Sequence, residues 1–143
     1  MSYSFQNPGA EVIESYLKSA KTIAIVGLSH RKEAASDQVA HFLQAAGYRI
    51  IPVNPKLEGQ ELLGEHVYAY LKDIPFSIDI VDVFRRSEFL PDVAYDFLET
   101  DAKVFWSQIG LENEEAETIL RQANRQDIVM NRCTKREYMR LFV

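Results

Sequence analysis

The stretch Thr22-Ile-Ala-Ile-Val-Gly27-Leu-Ser-His30 decides the fold of this chain. A strand with one face in water alternates apolar and polar residues. This run does not alternate, and it stops at a glycine, which suits a strand buried on both faces as in a parallel sheet. A loop follows to Ala35, and Ser36 or Asp37 is the expected cap of the next helix. Val39, Ala40, Phe42, Leu43 and Ala46 recur at helical spacing along it, and Gly47 marks its end.

The same unit repeats downstream. Arg49-Ile-Ile-Pro-Val53, Val67-Tyr68, Ile78 to Phe84, Lys103 to Trp106 and Asp127 to Met130 read as further strands. Helices are expected near Leu71, over 87–99 and over 112–124, with a last one in the tail, 134–143. Upstream, Asn7-Pro8 reads as a helix start, with the Asn as cap and Val12, Ile13, Tyr16, Leu17 and Ala20 as the buried stripe. Strands alternating with helices predict an α/β fold. The expected form is a single doubly wound, Rossmann-like domain, its five- to six-stranded sheet mostly parallel, with helices on both faces. The domain is expected to span 1–143, with an N-terminal helix in 1–20, the core in 21–133 and a tail from 134.

The composition narrows the function classes. With 143 residues and 47% hydrophobic content the chain can build one core without staples. Sixteen basic against 21 acidic residues, a formal charge of −5, argues against a general nucleic-acid binder. No apolar run is long enough for a membrane span, and the first residues carry no secretory pattern. A single cysteine, Cys133, fits a reducing compartment, so a cytoplasmic location is expected.

In a doubly wound sheet, ligands lie beyond the carboxyl ends of the strands, where strand order reverses. Four segments should share that rim. In the first, Gly27 turns the strand, but the glycines of a dinucleotide fingerprint are replaced by Ser29 and Lys32. A helix start still presents free N–H groups to a phosphate, with the hydroxyls of Ser29 and Ser36 beside it; a plain turn with Ser36 as cap is the other reading. The second, Pro52-Val53-Asn54-Pro-Lys56, lacks the acidic residue an NAD ribose requires and supplies a lysine on a stiffened loop. The third, Asp82-Val83-Phe84-Arg85-Arg86, puts two arginines at a helix start, where cations oppose the dipole unless an anion is present. The fourth, Trp106-Ser-Gln-Ile-Gly110, brings the one Trp, a residue more often core than binding wall.

Signatures of catalysis are thin. His30, His41 and His66 show no metal-ligand spacing, His41 reading as structural and His30 as able to face a ligand. Asp79 and Asp82, three apart in a strand, should point to opposite faces. Cys133 reads as a small buried hydrophobe or, alternatively, a reactive thiol near the rim.

The series Ile25-Val-Gly-Leu-Ser29, Pro52 to Lys56, Asp79 to Arg86, Trp106-x-Gln-x-Gly110 and Asn131-Arg-Cys133 resembles the stand-alone CoA-binding proteins. These are relatives of the CoA-binding domain of the succinyl-CoA synthetase α-subunit, and the resemblance covers about 20–135. It implies coenzyme A or an acyl-CoA as ligand. Gly27, Leu28, Ser29 and His30 match the first phosphate loop, Lys56 the lysine after the second strand, and Val83, Phe84 and Arg85 the loop after the fourth. Where relatives are expected to carry Asp-Arg-Cys, this chain has Asn131. The expected function is a non-catalytic or regulatory CoA-binding protein without nucleic-acid or membrane partners, a protein partner or homo-oligomer being left open. An NAD(P)-dependent oxidoreductase and an enzyme acting on an acyl-CoA thioester are the alternatives.

Overall fold

The computed structural model describes residues 3–143. In chain order its elements are α1 (Ala10–Ser19), β1 (Thr22–Val26), α2 (Ala35–Ala45), β2 (Arg49–Val53), β3 (Glu61–Leu62), β4 (Glu65–His66), β5 (Ile80–Val83), α3 (Leu90–Leu98), β6 (Val104–Ser107), α4 (Glu114–Gln122), β7 (Ile128–Val129) and α5 (Thr134–Phe142). Five strands pair in parallel in the order β2-β1-β5-β6-β7, so the chain reverses its direction of travel between β1 and β5.

The unbroken apolar runs are explained by cover on both faces. Ala24, Val26, Val81, Val83 and Phe105 pack under α3 and α4 through Leu90, Val93, Phe97, Ala116 and Leu120. Ile23, Ile25, Ile80 and Trp106 point the other way, beneath Ile13 and Leu17 of α1 and Val39 and Leu43 of α2, with Tyr138 of α5 alongside. This is the doubly wound, Rossmann-like architecture, with α5 confirming the helix expected in the tail. Pro52 sits in β2, an edge strand, where a residue without an N–H is tolerated.

Several local expectations are corrected. Val67-Tyr68 is not a sixth strand of the sheet: Tyr68 makes one isolated parallel bridge to Val53, and the preceding residues form the β3–β4 hairpin. Asn7 does not cap α1, whose N-cap is Gly9. Its side-chain amide crosses to Met130 instead, donating to the carbonyl at 2.8 Å and accepting from the N–H at 3.1 Å. Neither Ser36 nor Asp37 caps α2, which begins after Ala34 with no side-chain cap. The helix expected over 87–99 is split into a 3-10 turn at Ser87–Phe89 and α3. Among the described residues, no helix is long and apolar enough to cross a membrane.

Candidate functional site

The rim begins where β1 ends. Gly27 has φ of +90°, its N–H donates to the Val53 carbonyl at 2.8 Å, and Phe84 N–H donates to the Val26 carbonyl at 2.8 Å. A Cβ on Gly27 would lie 3.3 Å from both the Phe84 oxygen and Arg85 Cγ. Only glycine fits here, for backbone conformation and for space. Three strand ends therefore meet at one point, and it is the point where strand order reverses.

Asn54 ties two of the rim loops together. Its Nδ2 donates to the Leu28 carbonyl at 3.1 Å and its Oδ1 accepts from Lys56 N–H at 3.0 Å, capping the 3-10 turn Pro55–Leu57. Its side chain is thus committed to the protein and directs Lys56 outwards.

A cavity of about 320 Å³ opens beside this junction, with Gly27, Val53, Asn54, Lys56 and Arg85 in its wall. Lys56 is exposed, whereas Arg85 is half-buried with its guanidinium 4.4 Å from the centre of the Phe89 ring. Tyr70 and, from α3, Asp92 and Asp96 also line it. Sequence patterning gave no signal for these three. Asp96 accepts from Leu71 and Lys72 N–H at 2.8 and 3.2 Å. Burial raises its pKa, and those two bonds offset the effect.

The remaining residues singled out in the sequence are placed elsewhere on the rim or beneath it. Leu28, Ser29 and His30 line a separate cavity of about 370 Å³ with Lys32, Asp37 and His41, closed by Leu62 and Leu63 of the hairpin. Ser36 is buried under that loop, where its hydroxyl accepts from Ser29 N–H at 3.0 Å. Pro52 and Val83 are buried in the sheet, and Phe84 is half-buried against the Ile25 and Trp106 face. Arg86 is outside both cavities, exposed and 3.3 Å from Glu88. His41 is not a core residue: it is exposed and 3.4 Å from Asp37. Trp106 is wholly buried, its indole N–H donating to the Arg132 carbonyl at 2.8 Å. Cys133 is half-buried at the N-cap of α5.

Asp79 and Asp82 differ in environment as well as position. Asp79 precedes β5 and accepts from Lys21 and Thr22 N–H at 2.8 and 3.0 Å. Asp82 is fully buried in the central strand, and burial pushes its carboxyl up to about 7 against the pull of hydrogen bonds from Gln108 and Thr134. An Asp inside an apolar strand was the sequence signal for such a group.

Comparison with known proteins adds three findings. The family model for the CoA binding domain matches residues 21–139. The uncharacterized protein YneT of Bacillus subtilis (strain 168) is 51% identical over 130 residues, 91% of this chain and 94% of that protein. Among solved structures, a hypothetical protein from Pyrococcus horikoshii OT3 is 34% identical with a TM-score of 0.90 over 100% of both chains. A Thermus thermophilus protein is 36% identical with a TM-score of 0.89, covering 94% of this chain and 100% of its own.

Proposed function

Since the chain belongs to the CoA binding domain family, we propose that it binds coenzyme A or an acyl-CoA at the β1–β5 junction, with Lys56 and Arg85 as the phosphate contacts. The observation that carries this reading is the presence of both cations in the wall of one cavity that Gly27 opens at the strand reversal. Each can make a charge-assisted hydrogen bond to phosphate, Arg85 as a fork held by Phe89 and Lys56 as a point charge.

The first-loop residues Ser29 and His30, with Lys32 behind them, extend the polar surface on the far side of Gly27. NAD fits this rim less well than CoA. The strand end that would supply an acidic ribose acceptor has Asn54, whose amide is already occupied by Leu28 and Lys56. Binding rather than turnover is the function proposed, because the carboxylate deepest in the wall, Asp96, is engaged by two backbone N–H groups and is not poised as a base.

Titration calorimetry tests the reading. CoA should bind more tightly than NAD, and dephospho-CoA more weakly than CoA if one cation meets the 3′-phosphate. Tighter binding of NAD would overturn the proposal.

A further inference from the structure

Asp82 lies in the central strand β5 with 0% of its surface exposed. Alternation along the strand puts it on the same side as Ile80, the face that α1, α2 and α5 cover. Its partners across the sheet are Ile25 and Trp106, both apolar. Among the described residues, no lysine, arginine or histidine pairs with it. The ionisable groups of the covering helices are engaged elsewhere: His41 with Asp37, Tyr16 with Asp127, Glu137 with Arg140, and Lys135 over the Phe42 ring. Arg132, just before α5, gives its guanidinium to the Asn131 carbonyl, and Cys133 and Tyr138 pack among apolar side chains. Burial and two hydrogen bonds are what act on the Asp82 carboxyl.

Those bonds come from neutral side chains. Gln108 Nε2 is 2.6 Å from Oδ1, Thr134 Oγ1 is 2.8 Å from Oδ2, and the two neighbours are 3.2 Å apart. Either form of the carboxyl can complete this triad. The anion takes an N–H from Gln108 and the O–H of Thr134. The neutral acid gives its own O–H to the Gln108 amide oxygen, with the amide reversed, and still accepts from Thr134. Hydrogen bonding therefore does not choose between the forms. Burial does, and without a cation it favours the neutral one.

Thr134 is the first residue of α5 and is wholly buried. Among the described residues, its hydroxyl makes the only side-chain hydrogen bonds from α5 to the rest of the chain, since Arg140 and Glu137 pair within the helix. Further along, Tyr138 meets Phe42 and Tyr48 edge-on, while Met139 and Phe142 are exposed. The loop after β6 is pinned more firmly. Ser107 Oγ donates to the Leu111 carbonyl, and Gly110 N–H donates to Asn131 Oδ1, both at 2.6 Å. Of the two segments that hold Asp82, α5 is thus the one with fewer polar ties of its own.

We propose that Asp82 and Thr134 form a proton-dependent latch: with the proton in place α5 stays docked on the sheet, and its loss lets α5 lift and water reach the carboxylate. The latch does not depend on the CoA reading. Closed, the carboxyl titrates at about 7; opened to water, it returns towards 3.8. Between those values the open form has lost a proton that the closed form keeps. The opening equilibrium therefore grows about tenfold per pH unit and levels off above about pH 7.

Amide hydrogen exchange on the unaltered chain tests this between pH 5 and 8, each rate being divided by its intrinsic value at that pH. The α5 amides should exchange ahead of those in β1 and β5, with an opening that rises about tenfold per unit to pH 7 and then flattens. Asp82→Asn keeps a donor and an acceptor and cannot ionise, so its α5 should open no more readily at pH 7 than at pH 5. Thr134→Val removes the hydroxyl at nearly constant shape and should raise α5 opening about three- to tenfold already at pH 5. In the unaltered chain, an α5 opening that is flat with pH, or α5 amides that exchange only together with β1 and β5, would overturn the latch. So would a slope that survives in Asp82→Asn, or a Thr134→Val helix that opens like the parent. Should Asp82→Asn fail to fold, the unaltered chain and Thr134→Val decide between them.

Discussion

Lys56 and Arg85 share a cavity but not an environment, and their substitutions should differ accordingly. Lys56→Ala removes an exposed side chain, so stability should stay within about 0.5 kcal/mol. Arg85→Ala also removes the stacking on Phe89 and should lower stability by about 0.5–1 kcal/mol. For CoA both should lose about 1.5–3 kcal/mol, roughly tenfold to hundredfold in affinity. Calorimetry beside thermal melting checks the separation; parental affinity in both variants would rule out the cavity as the phosphate site. Gly27→Ala should cost at least about 1–2 kcal/mol, because φ of +90° and the Phe84 oxygen both resist a Cβ. These three were legible as residues of one rim because each lies within three residues of the end of an apolar strand. Tyr70, Asp92 and Asp96 were not, since they reach the cavity from segments whose local patterns carry no ligand signal. Asn54 was read correctly as a residue of the rim, but its inward amide depends on Leu28, which is distant in sequence.

At the scale of elements, the same chemistry can serve two purposes, and local sequence does not distinguish them. An Asn before a Pro is a fitting helix cap, yet Asn7 turns its amide to Met130, a wholly buried residue whose N–H and carbonyl it satisfies together. Asn7→Ala should leave those groups unpaired and cost about 1–3 kcal/mol in urea denaturation, without changing CoA affinity. A loss of affinity would show that β7 and the rim are coupled. The β3–β4 hairpin was missed for a related reason. Its tip is Leu63-Gly64, both at positive φ, where Asn-Gly would be the recognisable signal. The turn is held by tertiary contacts instead: Gln44 Nε2 donates to the Leu63 carbonyl at 2.9 Å, and Arg49 pairs with Glu65 through two hydrogen bonds of 2.8 and 3.1 Å. The strands of the main sheet were legible because burial on both faces leaves a pattern in sequence that no turn has to confirm.

At the scale of the molecule, charge and protonation act on the whole fold. The chain carries −5 formal charge and the proposed ligand is anionic, so binding should weaken with added salt as the local cations are screened. Asp82 adds a pH term with a definite sign. Its carboxyl titrates at about 7 in the folded chain against 3.8 when free, so between those values the folded state keeps a proton that the unfolded state has lost. Its contribution to stability is present below about pH 4 and is lost as pH rises through about 7. Relative to the parent, Asp82→Asn should therefore gain stability from pH 4 to 7 and level off above; urea melts across that range showing a constant difference would contradict the burial argument. The two margins of the sheet have a further consequence. In β2, Pro52 has no N–H, and its carbonyl accepts from Tyr68 at 3.1 Å. Beside β7, Met130 gives both its backbone groups to Asn7. A nascent or crowded copy of this chain thus meets an interrupted ladder on either side, and edge-to-edge aggregation, the common hazard of open parallel sheets, loses its template.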